Sequence, residues 1–169
     1  MEPKTVVRYA QSAEELDVLE PLWNALQEHH SEILPALGGQ TPPRPRSDAW
    51  VRRRAKYERW LEDAESFFVV AEEDQEPVGY AFVTIDPGYA GWATGRLAEL
   101  ETLSVLPAHR GAQIGGQLLD AVWSKLAERG VEEMAITTAL TNVDSHRFYE
   151  RHGFQQGFVV YYGKREAAS

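Results

Sequence analysis

The spacing of apolar and polar residues divides the first third of the chain into one short strand and three helical segments. Residues 6–9 are rich in β-branched and aromatic side chains, which predicts a strand. Ser12 and Glu15 have the spacing of a capping box, and apolar side chains follow every three or four residues, as in an amphipathic helix. Pro21 lies inside that pattern, where a proline costs about 3 kcal/mol. We therefore expect two helical pieces, with Pro21 near the first turn of the second.

A proline- and glycine-rich stretch, residues 35–47, precedes the next helix. It predicts a loop inside one domain, because the segments on both sides are needed to complete one core. Ser47 or Asp48 is placed to cap the helix that follows. The apolar face of that helix is formed by Trp50, Tyr57, Trp60 and Leu61. The basic side chains are expected mostly on the other face, as a solvated surface, and they are Arg52, Arg53, Arg54 and Lys56.

From residue 66 onwards the pattern changes from a helical to an extended period. Residues 66–71 predict a strand, residues 72–77 a turn, and residues 78–85 an antiparallel return strand. A glycine-bearing loop, residues 86–96, precedes a third strand over residues 98–106. These strands predict a largely antiparallel sheet.

The last third of the chain alternates between helices and short strands. Residues 114–129 carry apolar side chains at helical spacing, and residues 131–138 predict a strand. A further helix is expected from a cap at Thr141 to Gly153, and residues 158–162 predict a closing strand. The element order predicts a mixed α/β (α+β) fold with a mostly antiparallel central sheet flanked by helices.

Composition excludes several classes of protein. Hydrophobic residues make up 43% of the chain, enough for one core, so residues 1–169 are expected to form a single domain. The net charge of −9 is unfavourable for nucleic acid, which requires a basic surface. The absence of cysteine excludes disulfides, thiolate zinc sites and a cysteine nucleophile. Without a long apolar run or a signal peptide, the chain is expected to be cytoplasmic and to have no membrane partner.

The segment VLPAHRGAQIGGQLL, residues 105–119, joins the end of a strand to the start of an amphipathic helix. Unpaired N–H groups and the positive end of the helix dipole suit such a turn to a phosphate group. His109 and Arg110 add local positive charge. The glycines allow either close approach of a ligand or tight packing of the helix, and both interpretations remain open. A P-loop is excluded because Gln117 and Leu118 replace its lysine and its serine or threonine.

Four segments resemble, in order and spacing, the GCN5-related N-acetyltransferase (GNAT) superfamily. The family's phosphate turn, R/Q-x-x-G-x-G/A, is matched at Arg110 and Gly115, with Gln113 in place of the first motif glycine. ELETLSVLP resembles its fourth strand, and FVVYY resembles its last strands. TNVDSHRFYERHGF resembles its N-x-x-A-x-x-F-Y-x-x-x-G-F stretch, with Ser145 at the alanine position. The resemblance implies a GNAT-like fold and acetyl-CoA as the acyl donor, with no metal.

The resemblance also implies a carboxylate that acts as general base on an amine. An alkyl ammonium with a pKa of about 10.4 cannot attack while protonated, and deprotonating it at pH 7 costs roughly 4–5 kcal/mol. Glu101 is the candidate base, because it lies on the strand before the phosphate turn, where GNAT enzymes often place a carboxylate. Glu99, two residues earlier, would share its face of the strand. A solvated or ion-paired carboxylate is the alternative for both.

Tyr149 is implied as the general acid that protonates the departing thiolate. A phenol pKa of about 10 lies above the value of about 8.5 for a typical thiol. Packing of the ring on the sheet is the alternative. Asn142 matches the family's asparagine, which binds the pantetheine arm, and a helix cap is compatible with that role. A backbone N–H of residues 103–105 is the implied oxyanion donor. The implied cofactor-binding residues are Leu103, Ser104, Val105, Arg110, Gly111, Ala112, Gln113, Ile114, Gly115, Gly116, Asn142 and Tyr149.

The expected function is transfer of an acetyl group from acetyl-CoA to a primary amine of a small molecule or peptide. Without cysteine to carry the acyl group, direct attack in a ternary complex is expected. A non-catalytic acetyl-CoA-binding regulatory domain is the alternative, and family analogy adds a possible homodimer. Glu28, His29 and His30 are not expected to bind a metal, because adjacent histidines on a helix point apart. The candidate substrate contacts are Trp23, His30, Tyr89, Trp92, Glu99 and Tyr161.

Overall fold

A computed structural model of the protein describes residues 4–33, 48–88, 91, 95–111 and 113–161. At its centre lies a five-stranded sheet whose strands pair in chain order. The strands are β1 (Val6–Ala10), β2 (Phe67–Glu73), β3 (Glu76–Asp86), β4 (Leu97–Val105) and β5 (Glu133–Ile136). Pairing is antiparallel from β1 to β4 and parallel between β4 and β5. The predicted mixed α/β fold with a mostly antiparallel sheet is confirmed.

The helices flank this sheet, and the first of them follows a 3₁₀ helix, Ala13–Leu19. The Ser12 hydroxyl accepts a hydrogen bond from the Glu14 backbone N–H at 3.2 Å and so caps the 3₁₀ helix. Pro21 is the second residue of the α-helix that follows, where its missing N–H would have no intrahelical partner. The predicted division into two helical pieces is confirmed. The α-helices are α1 (Glu20–Ile33), α2 (Ala49–Leu61), α3 (Ile114–Glu128) and α4 (Val143–Arg151).

Each face of the sheet carries its own apolar core. Buried side chains of α3 pack on one face, against alternate residues of β2, β3 and β4. The other face packs against α1, α2 and the 3₁₀ helix. There the rings of Tyr57 and Phe82 stack with their centroids 4.1 Å apart. The Tyr57 hydroxyl hydrogen-bonds with the hydroxyls of Tyr80 (3.0 Å) and Thr102 (2.8 Å), which joins α2 to β3 and β4.

The β2–β3 hairpin turns on two residues. Asp74 and Gln75 have φ angles of 51° and 69°, the left-handed region that a tight two-residue hairpin requires at both positions. Glu73 and Glu76 pair directly across the turn. The predicted turn over residues 72–77 was therefore too long, because the strands continue up to the turn itself.

The closing strand predicted over residues 158–162 is wrong for its described part, residues 158–161, which form no strand. Their side chains are exposed, and they are Phe158, Val159, Val160 and Tyr161. The segment has the composition of a strand, but a strand forms only where a neighbouring backbone accepts and donates its hydrogen bonds.

The predicted cap at Thr141 is also wrong. The Asn142 side chain caps α4 by accepting a hydrogen bond from the Ser145 backbone N–H at 3.3 Å. The Thr141 hydroxyl instead donates to the Ile33 carbonyl oxygen at 3.1 Å, and so connects the start of α4 to the end of α1.

Candidate active site

β4 and β5 separate beyond their first four paired residues. Residues 97–100 pair with residues 133–136, whereas β4 continues to Val105 with partners in β3 alone. The uncovered edge of β4 forms one wall of a cleft of about 840 Å³. The other walls come from α1, α2, the residues after β5, the first turn of α3, and α4. A cleft of this size suits an extended small-molecule ligand.

A β-bulge lies where β4 leaves β5. Phe82 is opposite Thr102 and Val83 is opposite Leu100, so Glu101 is the extra residue of β4. A bulge bends the strand and changes the direction of a side chain. The strict alternation that would group Glu99 with Glu101 therefore does not continue through this position.

The bulge brings Glu101 to the cleft. The Glu101 carboxylate accepts a hydrogen bond from the Thr84 hydroxyl at 2.8 Å, and the residue lines the cleft. Glu99 is exposed and does not line the cleft. The structure thus separates the two carboxylates that the sequence could not tell apart.

Burial raises the pKa of the Glu101 carboxyl above its ordinary value of 4.5. The Thr84 hydrogen bond lowers this pKa, the negative charge of Glu99 raises it, and the positive charges of Lys56 and Arg53 lower it. Burial outweighs the opposing contributions. A carboxylate in this setting holds a proton more readily than a solvated one, as a general base for an ammonium group requires.

Tyr149 lies on α4 and lines the same cleft. Burial raises the pKa of Tyr149 to about 12, so its hydroxyl stays protonated at neutral pH. Its ring meets those of Phe148 and Phe154 edge-on, at centroid distances of 5.3 and 5.8 Å. Within the described residues no side-chain hydrogen bond acts on its hydroxyl, which leaves its proton available to a ligand in the cleft.

The turn before α3 offers backbone N–H groups to an anion. Gly111 has a φ of 85° and Gln113 a φ of 61°, so the chain passes twice through the left-handed region. The first intrahelical bond joins the Gln117 N–H to the Gln113 carbonyl at 3.0 Å, and no side chain caps the helix. The three preceding N–H groups therefore lack intrahelical partners at the positive end of a 15-residue helix. Ala112 lies outside the described residues.

The glycines of this turn have different roles. A Cβ on Gly115 would lie 3.1 Å from the Phe148 ring, and a Cβ on Gly116 would lie 3.2 Å from the His152 ring. These two glycines permit close packing of α3 on α4, whereas Gly111 is required by its backbone conformation. The sequence had left both explanations open.

The remaining predicted donor-side residues lie along the same cleft. Asn142 is 8% exposed, caps α4 and lines the cleft, so the two roles expected of it are compatible in geometry. The Arg110 side chain donates to the Val105 carbonyl oxygen at 3.3 Å. The predicted residues that line the cleft on this side are Leu103, Ser104, Val105, Arg110, Gly111, Gln113, Ile114, Gly115 and Gly116.

At the acceptor end, the structure brings together only some of the predicted contacts. Trp23 and His30 line the cleft from α1. Tyr161 is 91% exposed and does not line it. Tyr89 and Trp92 lie outside the described residues.

Arg53 lines the cleft, although the basic residues of α2 were expected mostly on the opposite, solvated face. Its guanidinium lies 4.0 Å from the centroid of the Trp23 ring and lines the cleft. The available signal was the spacing of Trp50, Arg53, Tyr57 and Trp60, which places all four on one helical face. Arginine can join an apolar face because its stem and planar head pack on aromatic rings.

The cleft also contains residues that were not among the predicted site residues. Arg147, Arg151 and His152 stand at variable positions of the TNVDSHRFYERHGF stretch, so the motif gave them no role. His29 and Thr138 lie outside the family motifs. In the described part of the chain, no group of three or more potential metal ligands is arranged to hold an ion. The same residues contain no helix with the length and apolarity needed to cross a membrane.

The chain belongs to the Acetyltransferase (GNAT) family, whose sequence model matches residues 23–154. The matched region begins within α1 and extends beyond α4, and so it contains every residue that lines the cleft. The resemblance on which the predicted site residues were based is confirmed at the level of the family.

Curated relatives with specific names match parts of the chain. An aminoalkylphosphonate N-acetyltransferase from Salmonella typhimurium is 37% identical over 68 residues, 40% of this chain and 42% of the relative. An aminoglycoside N(6')-acetyltransferase type 1 from Stenotrophomonas maltophilia is 31% identical over 104 residues, 60% of this chain and 68% of the relative. The chain spans between 37% and 52% of the length of the first three relatives it matches.

Solved structures match the fold over almost the whole chain. AAC(6')-Iy in complex with the bisubstrate analogue CoA-S-monomethyl-acetylneamine has a TM-score of 0.69 and 25% identity, and the match covers 96% of this chain and 99% of that one. AAC(6')-IG from Acinetobacter haemolyticus has a TM-score of 0.70 and 23% identity, with coverage of 96% and 99%. The second likeness, at this level of identity, shows the fold alone.

Proposed function

We propose that the chain transfers an acetyl group from acetyl-CoA to a primary amine of a small molecule, by direct attack of the amine in a ternary complex. One observation carries the proposal: a single cleft contains the uncovered edge of β4, the uncapped start of α3, a carboxyl and a phenol. Family membership supports acetyl-CoA as the donor. The proposal treats residues 1–169 as one functional domain.

The donor half of the cleft fits the chemical parts of acetyl-CoA. The free N–H groups at the start of α3 and the Arg110 guanidinium suit its pyrophosphate. Among the described strands, the edge of β4 from Leu103 to Val105 has no partner on its β5 side, so its backbone groups suit the amides of the pantetheine arm. Asn142 is the adjacent side chain for that arm.

At the reacting centre, Glu101 accepts the proton that the ammonium group must lose, directly or through water. The amine nitrogen then forms its bond to the acetyl carbon, and a backbone N–H of residues 103–105 stabilises the developing oxyanion. The carbon–sulfur bond breaks, and Tyr149 donates its proton to the departing sulfur. The nitrogen loses its second proton as the amide forms, and this proton returns to the Tyr149 phenolate, directly or through water. The raised pKa of each group favours its role, since Glu101 gains affinity for a proton and Tyr149 stays protonated until the thiolate forms.

The non-catalytic alternative is less well supported. A protein that only bound acetyl-CoA would need the start of α3 and the β4 edge, but not a carboxyl and a phenol with raised pKa values in the same cleft. The names of the relatives, which refer to acetylation of aminoalkylphosphonates and aminoglycosides, support a small-molecule amine as the acceptor.

Two further parts of the proposal concern the whole protein. A homodimer is supported by the exposed apolar segment at residues 158–161 and by β5, which has a strand partner on one side only among the described strands. A cytoplasmic location also belongs to the proposal, and fractionation of cells that express the chain tests it.

The proposed function predicts release of free CoA thiol from acetyl-CoA only when a primary amine is present. Saturating acetyl-CoA should also raise the melting temperature, because a ligand at 100 times its Kd stabilises the folded state by about 2.7 kcal/mol. Tyr149→Phe should keep this shift and lower turnover by about 100-fold or more. A thiol reagent measures the turnover, and a thermal melt measures the shift in melting temperature.

Tyr161→Phe is the matched control, because Tyr161 is 91% exposed and lies outside the cleft. Its turnover should equal that of the unaltered chain. The absence of a thermal shift would contradict acetyl-CoA binding. Equal turnover in the Tyr149 and Tyr161 variants would contradict the role of Tyr149 as general acid.

A further inference from the structure

The Arg53 guanidinium lies over aromatic rings at one wall of the cleft. It lies 4.0 Å from the centroid of the Trp23 ring, 5.3 Å from that of Tyr57 and 6.0 Å from that of Trp60. Stacking uses the faces of the guanidinium and leaves its N–H groups at the edge. The edge is the part of an arginine that recognises a carboxylate or phosphonate through two parallel hydrogen bonds.

Arg53 differs from the adjacent Arg52 and Arg54 in having no carboxylate partner among the described residues. Arg52 forms an ion pair with Asp48. Arg54 forms ion pairs with Asp17, at 2.7 Å, and with Glu58. In a chain of net charge −9, a half-buried guanidinium without such a partner leaves an anion-binding position open in the cleft.

The position of the Arg53 charge relative to Glu101 affects which acceptor the cleft can bind. Both residues line the cleft, and the positive charge of Arg53 lowers the pKa of the Glu101 carboxyl, so the two groups lie within electrostatic reach. His30 lies on the same wall, and burial followed by the charges of His29 and Arg53 lowers its pKa, so it is neutral at pH 7. Of the described residues that line the α1–α2 end of the cleft, Arg53 therefore carries the permanent positive charge.

We propose that Arg53 binds an anionic group of the acceptor, a carboxylate or a phosphonate, while the amine of the same molecule lies at Glu101. The preferred acceptor is then a zwitterion with its anionic group a few bonds from its amine nitrogen. A polycationic amine would bring a second positive charge against Arg53 and would bind less well. This inference rests on the proposed function and names the chemical class of its acceptor.

The test compares four amines of equal chain length that differ at the far end. They are 3-aminopropylphosphonate, 4-aminobutanoate, 3-amino-1-propanol and 1,3-diaminopropane, each with three methylene groups between its amine and its far-end group. We expect the first two to bind the CoA-loaded protein, by isothermal titration calorimetry, about tenfold or more tightly than the last two. A difference between the first two tells whether the site takes a phosphonate or a carboxylate. Thiol release with acetyl-CoA is measured on the same four.

Arg53→Gln should abolish the preference, with affinity for the alcohol unchanged and affinity for the anionic amines about tenfold lower. Arg53→Lys should restore part of the preference, because it keeps the charge and loses the two-pronged edge. Arg59→Gln is the matched control, since Arg59 is an exposed residue of α2 that does not line the cleft. It should bind all four amines as the unaltered chain does.

Equal binding of the four amines, or the tightest binding of the diamine, would overturn the inference. The inference would also be overturned if Arg53→Gln weakened the binding of all four amines equally, or if it only lowered the melting temperature. Either result would mean that Arg53 stabilises the fold by packing on Trp23. The titration needs no turnover. Selective binding without thiol release would therefore count against the proposed function and leave the anion site supported.

Discussion

The position and pKa of Glu101 depend on residues that lie far from it in the chain. Its place on a strand before the phosphate turn follows from the sequence, but its direction depends on the bulge opposite Phe82 and Val83. Its electrostatic setting depends on Thr84, from the neighbouring strand, and on charges from α2. None of these contacts is local in sequence, so the motif could name the candidate but could not separate it from Glu99.

A Glu101→Gln variant should lower kcat/KM by about 100-fold or more, since it removes the general base. In the unaltered chain, kcat/KM should rise as Glu101 loses its proton, at a pH above the ordinary value of 4.5. The variant should lose this rise and keep the one caused by ionisation of the free amine. A pH–rate profile of both proteins measures the difference, and an unchanged profile in the variant would exclude Glu101 as the base.

The same substitution has an expected effect on stability. The pKa of Glu101 is raised in the folded state, so folding favours the protonated form. The stability associated with that proton is present at low pH and is lost as the pH rises through the folded-state pKa. Glu101→Gln should therefore be at least as stable as the unaltered chain at pH 8, which distinguishes a loss of catalysis from a loss of folding.

Among the elements, the start of α3 is determined partly by local sequence and partly by tertiary contacts. Its start and apolar face follow from the sequence, as predicted over residues 114–129 and found over Ile114–Glu128. The sequence does not predict the left-handed conformation of Gln113, nor the packing of Gly115 and Gly116 against α4. Gln113 stands at the motif position usually taken by glycine, and its φ of 61° explains why glycine suits that position.

Gln113 should therefore tolerate glycine and reject a β-branched residue. Gln113→Gly should be about as stable as the unaltered chain, because relief of the left-handed strain offsets the entropy of glycine. Gln113→Val should cost about 1–3 kcal/mol. Urea unfolding without acetyl-CoA measures both. Gln117→Val, the same substitution inside α3, is the control for helix propensity and should cost about 0.5 kcal/mol. Equal costs at positions 113 and 117 would contradict backbone strain at the turn.

At the scale of the whole molecule, β5 has a partner on one side only among the described strands of the sheet. Residues 158–161 have the composition of a strand, and their apolar side chains are 58–91% exposed. Isolated monomers seldom expose consecutive apolar side chains in this way, and the homodimer that we propose would cover this segment.

We expect the protein to sediment as a dimer and Val160→Lys to shift it towards the monomer, because a charge is costly in an apolar interface. Val51→Lys is the matched control, since Val51 is 66% exposed on α2 and far along the chain from this segment. Analytical ultracentrifugation over a range of concentrations measures both. A monomeric unaltered chain, or the same shift in the control, would exclude this interface.

The sequence by itself determined the elements of this protein and the identity of its family. Apolar spacing, caps and glycines act within one or two helical turns, so β1 to β5, α1 to α4 and the turn at Arg110 were predictable from nearby residues alone. Tertiary structure decided the bulge at Glu101, the separation of β4 from β5, and the absence of a strand at residues 158–161. These features depend on register and pairing between segments far apart in the chain, which local periodicity does not encode. Arg53 combines both kinds of information. Its spacing along α2 indicates the apolar face, but its place in the cleft depends on the aromatic rings that it contacts in the folded protein.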